Sequence, residues 1–104
     1  AMTVEELKAL LDAGEEPFVL DVRDPLELQV APFPFPVRHV PMREVPARIG
    51  EIPADRDVVV VCQSGSRSAT VVQYLRRNGV ERAVNLEGGI LAWSGRIDPS
   101  VPRY

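Results

Sequence analysis

Cys62 is the single cysteine in a chain of 104 residues, and it heads Gln63-Ser64-Gly65-Ser66-Arg67, a donor-rich loop that ends on a guanidinium. A thiol is a strong nucleophile only as the thiolate. With a free pKa near 8.5 roughly 3% is ionised at pH 7, whereas a pKa of about 6.5, within the range found at helix N-termini, ionises roughly 75%. The spacing predicts such a setting. Val58-Val59-Val60-Val61 runs straight into the cysteine, and Ser68, Val71, Val72, Leu75 and Gly79 recur at helical intervals beyond the loop. A buried strand therefore ends at Cys62, and a helix begins near Ser66 and stops at Asn78-Gly79. The unpaired N–H groups of that first helical turn would face the loop and favour negative charge in it. Gly65 permits the tight turn, Ser64 and Ser66 offer hydroxyls, and Arg67 offers a permanent fork of donors for an oxyanion. On this reading Cys62 is the catalytic residue, and Gln63, Ser64, Gly65, Ser66 and Arg67 bind its substrate.

Other stretches must build the frame around this loop. Thr3 and Glu6 have capping-box spacing before a stripe of Val4, Leu7 and Leu11 that Gly14 ends, which predicts an N-terminal helix. Phe18 to Val22 reads as a second buried strand, where Asp21 and Arg23 fix the backbone by hydrogen bonds and a salt bridge. Asp24-Pro25 reads as a cap with proline in the first helical turn, so a short helix is expected over Pro25 to Gln29. Alternating Pro and Phe up to Pro36 imposes an extended path, with Phe33 in the core and Phe35 a loop side chain. His39 is structural, since one histidine and one distant cysteine cannot assemble a zinc site. Arg43 to Ile49 reads as a short helix stopped by Gly50, and Ala83 to Leu86 as a short buried strand. Glu87-Gly88-Gly89 then turns into a helix ending near Trp93, the glycines serving either close approach to the Cys62 pocket or the turn itself. The tail from Gly95 to Tyr104 is expected to be irregular. Strands alternating with helices define an α/β fold with a mostly parallel sheet, in which ligands bind beyond the carboxyl ends of the strands, where Cys62 falls.

Cys62 to Arg67 behind its valine run resembles the active-site loop of the rhodanese-domain (single-domain thiosulfate sulfurtransferase-like) family. Leu20-Asp21-Val22-Arg23 with Glu27 is similar to the family's D-V-R segment, and Leu86-Glu87-Gly88-Gly89-Ile90-Leu91-Ala92-Trp93 resembles its L-E-G-G-I-x-A-W ending. Three blocks in family order are far more specific than any one alone. The resemblance implies a single rhodanese-like domain over residues 1–104, with a central sheet of about five strands and helices on both faces. The chain departs from the family at Ala31 to Pro36: Pro32 stands where the family has histidine, so no role is carried over to it. The resemblance also implies a reaction in which Cys62 takes the sulfane sulfur of thiosulfate or a persulfide, holds it as its own persulfide, and yields it to a thiol or protein acceptor. The chain has no second cysteine to resolve that persulfide, so the acceptor must come from outside. No cofactor or metal is implied.

Composition narrows the classes further. The length suits one core, and 45% apolar with 26% charged residues marks an ordinary globular chain. A net charge of −3 supplies no electrostatic reason to bind nucleic acid or an anionic membrane. No apolar run is long enough to span a bilayer and no signal-peptide pattern opens the chain, so a soluble cytoplasmic protein is expected, a compartment that keeps a lone thiol reduced. Oligomeric state is open. Three alternatives compete with sulfur transfer. A cysteine-dependent phosphatase closes its loop with C-x5-R, but here four residues separate Cys62 from Arg67 and the phosphatase position is Ser68, which favours sulfur over the bulkier phosphate. A non-catalytic rhodanese module for binding or regulation would have no need of both Cys62 and Arg67. The plainest alternative makes Cys62 a small buried hydrophobe.

Overall fold

In the computed structural model, which describes residues 1–104, the elements run α1 (Val4–Asp12), β1 (Phe18–Asp21), α2 (Pro25–Val30), β2 (Arg38–His39), α3 (Val45–Arg48), β3 (Val58–Val61), α4 (Ser66–Arg77), β4 (Ala83–Asn85) and α5 (Gly89–Arg96). All strand pairs are parallel, in the order β2-β1-β3-β4, with Phe18 opposite Val58 and Asp21 opposite Val61 at the centre. The sheet thus has four strands where the sequence reading has about five. Beyond β4 stands only a single bridge from Met2 to Leu86. Met2 N–H donates to Asn85 O at 2.9 Å and Met2 O accepts from Glu87 N–H at 2.8 Å, after which the chain leaves the sheet at once. Thr3 Oγ1 accepts from Glu6 N–H at 3.1 Å and Glu6 Oε1 accepts from Thr3 N–H at 3.0 Å, so α1 begins before a fifth strand can lengthen.

Side chains alternate along β3 and sort the core in two. Val58 and Val60 join Leu20, Val22, Val72 and Leu75 on the α4 face; Val59 and Val61 join Val19, Leu7, Ile90 and Trp93 on the α1 and α5 face. Because helices close both faces, every position of this strand must be apolar, which accounts for four valines without a polar interruption. Cys62 follows on the α4 face.

The Pro/Phe stretch does not run extended throughout as the sequence reading expects: it bends at Pro34 and Phe35 before it leads into the two-residue β2. Phe33 is buried, and the half-buried Phe35 links it to Trp93, with ring centroids 5.1 Å apart in each pair and the second pair edge-on. His39 is structural: its Nε2 lies 2.6 Å from Arg23 O, fixing the edge strand to the end of β1. The helix expected over Arg43 to Ile49 is split into a 3₁₀ turn at Met42–Glu44, α3, and a 3₁₀ turn at Ile49–Glu51 that contains Gly50. No helix is long and apolar enough to cross a membrane.

Candidate active site

The chain leaves β3 at Cys62 and enters α4 through Gly65, whose φ is +98° and whose missing Cβ would lie 3.2 Å from Gly88 N. That turn aims two backbone donors at the sulfur: Gly65 N–H at 3.1 Å and Ser68 N–H at 3.4 Å from Cys62 Sγ. Ser68 Oγ adds a third partner at 3.3 Å. The loop's carbonyls are drawn the other way. Cys62 O accepts from Ile90 N–H at 3.0 Å and Gln63 O from Leu91 N–H at 3.1 Å, so the first turn of α5 holds the loop from behind. This approach needs Gly89, where φ is +56° and a Cβ would stand 2.5 Å from both of those carbonyl oxygens. Of the two readings of the glycine pair, close approach to the Cys62 loop is the one realised at Gly89.

Asn85, at the end of β4, completes the frame by donating Nδ2–H to Gly65 O at 3.1 Å while its Oδ1 accepts from Ser68 Oγ. The electrostatics of the thiol follow from these contacts. Burial pushes Cys62 up and is the largest single influence, but the Ser68 hydroxyl and the N–H groups of Ser68, Gly65 and Ser64 together outweigh it and hold the thiol below its ordinary value. Cys62 has no exposed surface, so the thiol meets a substrate only when its surroundings yield. It is nevertheless no ordinary core hydrophobe. A cysteine buried for packing needs no partner on sulfur, whereas this one has three aimed at it.

Arg67 sits differently from the free fork that the sequence reading assigns to it. Its Nη1 and Nη2 donate to Glu27 Oε1 at 2.7 Å and Oε2 at 2.8 Å, which leaves Arg67 a rim residue bonded to α2. Glu27 also accepts from Asp24 N–H at 3.2 Å and from the Tyr104 hydroxyl at 2.7 Å, so each of its oxygens has two donors. Arg67 above all holds the Glu27 carboxyl down at about 2. Tyr104 OH in turn accepts from Arg23 Nη1 at 3.0 Å. A guanidinium only donates, so the phenol's own proton is left for Glu27. Burial is the main cause that keeps the Tyr104 hydroxyl protonated, up to about 12. Arg23 and Asp21 are both fully buried and paired at 2.8 Å, as architectural residues at the end of a strand.

Of the remaining loop residues, Gln63 donates its side-chain amide to Tyr104 O, and the exposed hydroxyls of Ser64 and Ser66 lie 3.4 Å from one another. An open cleft of about 400 Å³ adjoins the loop, lined by Val22, Asp24, Met42, Arg43, Pro46 and Arg67. No group of three or more His, Cys, Asp or Glu residues stands together to hold a metal ion. Sequence reasoning missed Ser68, Asn85 and Tyr104 as members of this site. The first had a signal: Ser68 is the one polar residue on the apolar stripe of α4.

A parallel sheet covered on both faces, with a lone, hydrogen-bonded cysteine between a strand end and a helix start, defines an α/β domain with a thiol site. The chain belongs to the Rhodanese-like domain family, whose sequence profile matches residues 3–96. It is 41% identical over 90 residues to a sulfurtransferase of Allochromatium vinosum, covering 86% of this chain and 83% of that protein. It is 37% identical over 93 residues to the putative sulfurtransferase YtwF of Bacillus subtilis, covering 89% and 88%. A rhodanese-like domain protein from Staphylococcus aureus, known from a crystal structure, matches with a TM-score of 0.84 and 33% identity over 99% of this chain and 96% of that one.

Proposed function

We propose that the protein is a sulfurtransferase that carries sulfur as a persulfide on Cys62. The observation that supports this most is the set of three partners on Cys62 Sγ, because such a nest favours negative charge on that sulfur before reaction and on its neighbour afterwards. In the first half-reaction the Cys62 thiolate attacks the outer sulfur of the donor. A Cys62 S–S bond forms as the donor's S–S bond breaks, and the bonding pair leaves on sulfite if the donor is thiosulfate, or on a thiolate if it is a persulfide. In the second, an external thiol or protein acceptor attacks the terminal sulfur and Cys62 departs as thiolate. Gln63, Ser64, Gly65, Ser66 and Arg67 form the substrate-binding loop around these steps. Donor and acceptor enter in turn, which makes the kinetics ping-pong. A lone thiol in this role suits a reducing cytoplasm.

Intact mass tests the reading directly. After treatment with thiosulfate or cysteine persulfide the protein should gain one sulfur, lose it to cyanide, and gain none as Cys62→Ser. Release of nitrophenol from p-nitrophenyl phosphate with no sulfur gain would replace sulfur transfer by phosphatase chemistry.

A further inference from the structure

We propose that Glu27, held in place by Tyr104, masks the charge of Arg67 and so makes this site take a persulfide in preference to thiosulfate as its sulfur donor; the inference rests on the sulfurtransferase reading and names its substrate class. Every cation around the thiol has an anion of its own. Arg67 is bidentate to Glu27, Arg23 is paired with Asp21, and Arg43, the other guanidinium lining the cleft, lies 3.4 Å from Asp24. Thiosulfate brings two negative charges to a thiolate that already has one. The outgoing sulfite and the new persulfide carry the same three, and no net positive charge at the mouth offsets them. A persulfide RS–SH has at most one charge on its two sulfurs, and the proton it carries stays with the transferred sulfur as RS⁻ leaves.

The pairing is also hard to exchange. For an arriving oxyanion to use the Arg67 fork it must displace a carboxylate whose four acceptor positions are filled, two by Arg67, one by Asp24 N–H and one by Tyr104. Tyr104 cannot turn its proton elsewhere without giving up Arg23. It is a positioning residue: it fixes Glu27, and Glu27 sets the charge that the donor meets.

The rate at which Cys62 gains sulfur, followed by intact mass against donor concentration, separates these claims for thiosulfate and cysteine persulfide. Glu27→Gln keeps the shape of the side chain and leaves the pair with a net positive charge. The half-saturating thiosulfate concentration should then fall on the order of tenfold, the worth of one charged hydrogen bond, and the gain should shrink as salt is added. Tyr104→Phe keeps the ring and should show a smaller fall in the same direction, a readout that survives if the first variant does not fold. An unchanged or higher half-saturating thiosulfate concentration in the folded variants overturns the inference and leaves sulfur transfer standing, as does a wild type that saturates at lower thiosulfate than persulfide. A wild type that gains sulfur from neither donor overturns the sulfurtransferase reading itself.

Discussion

Ser68 has one hydroxyl proton and two acceptors for it, the Cys62 sulfur and the Asn85 amide oxygen. While Cys62 is a thiol, its S–H can donate to Ser68 and the proton of Ser68 can serve Asn85. Once the sulfur ionises, the hydroxyl is needed at the sulfur, and Asn85 cannot turn to compensate because its Nδ2 is fixed on Gly65 O. Among the contacts that pull the thiol below its ordinary value the Ser68 hydroxyl is the largest. Ser68→Ala should therefore raise the Cys62 pKa, moving the midpoint of the pH profile for iodoacetamide alkylation upward and slowing alkylation at neutral pH. An unmoved midpoint would show that the backbone donors alone govern the thiol. At this scale the chain is legible where chemistry and turn share a few neighbours, as in Cys62 to Ser66. It is not legible where a partner comes from another element, as Glu27 comes to Arg67, because residue type shows what a group can bond and not what reaches it.

At the scale of elements, the first turn of α5 is a clamp on the loop after β3. Its N–H groups take the carbonyls of Cys62 and Gln63, leaving the loop's own N–H groups to face the sulfur. Gly89→Ala should break this arrangement. Positive φ alone costs a side chain about 1–2 kcal/mol, and the added Cβ would meet backbone oxygens that cannot swing aside. The expected loss exceeds about 2 kcal/mol, read as a lower urea midpoint at unchanged slope, and alkylation of Cys62 should slow as its donors shift. The long elements were readable because apolar spacing repeats in them: the valine run, the stripe of α4 and the capped α1 all stand where their patterns put them. Short ones were readable where a cap or an apolar run marks them, as at β1, α2 and β4, and not elsewhere. A single bridge at Met2 has no period to detect, and the segment from Met42 to Glu51 breaks into three turns.

Across the whole molecule, Tyr104 joins parts that are far apart in the chain: the end of β1 through Arg23, α2 through Glu27, and the cysteine loop through Gln63. The helix α5 runs on to Arg96, past the end expected near Trp93, and only the tail beyond it is irregular, yet tethered, with Ser94 Oγ donating to Val101 O at 2.7 Å and Arg103 Nη1 to Leu91 O at 2.7 Å. No local pattern could announce this, because the tail's path is set by side chains from three other elements. The network has an acid signature. Glu27 is held at about 2 in the fold against an ordinary 4.5, so its contribution to stability is fully present above about 4.5 and is lost as pH falls from there towards 2. Urea midpoints measured across that window should decline in the wild type and decline less in Glu27→Gln; equal declines would place the acid sensitivity elsewhere.

Under the proposed persulfide chemistry, the enclosure of Cys62 bears on the sulfur it would carry. A sulfur atom parked on an unprotected thiol is stripped by any passing reductant, whereas one lodged beneath the folded chain can be collected only by a visitor able to pry its way in. Loaded protein, desalted and challenged with dilute dithiothreitol, should keep its extra sulfur far longer when native than when unfolded in guanidinium; equal lifetimes would mean that the fold offers the cargo no shelter.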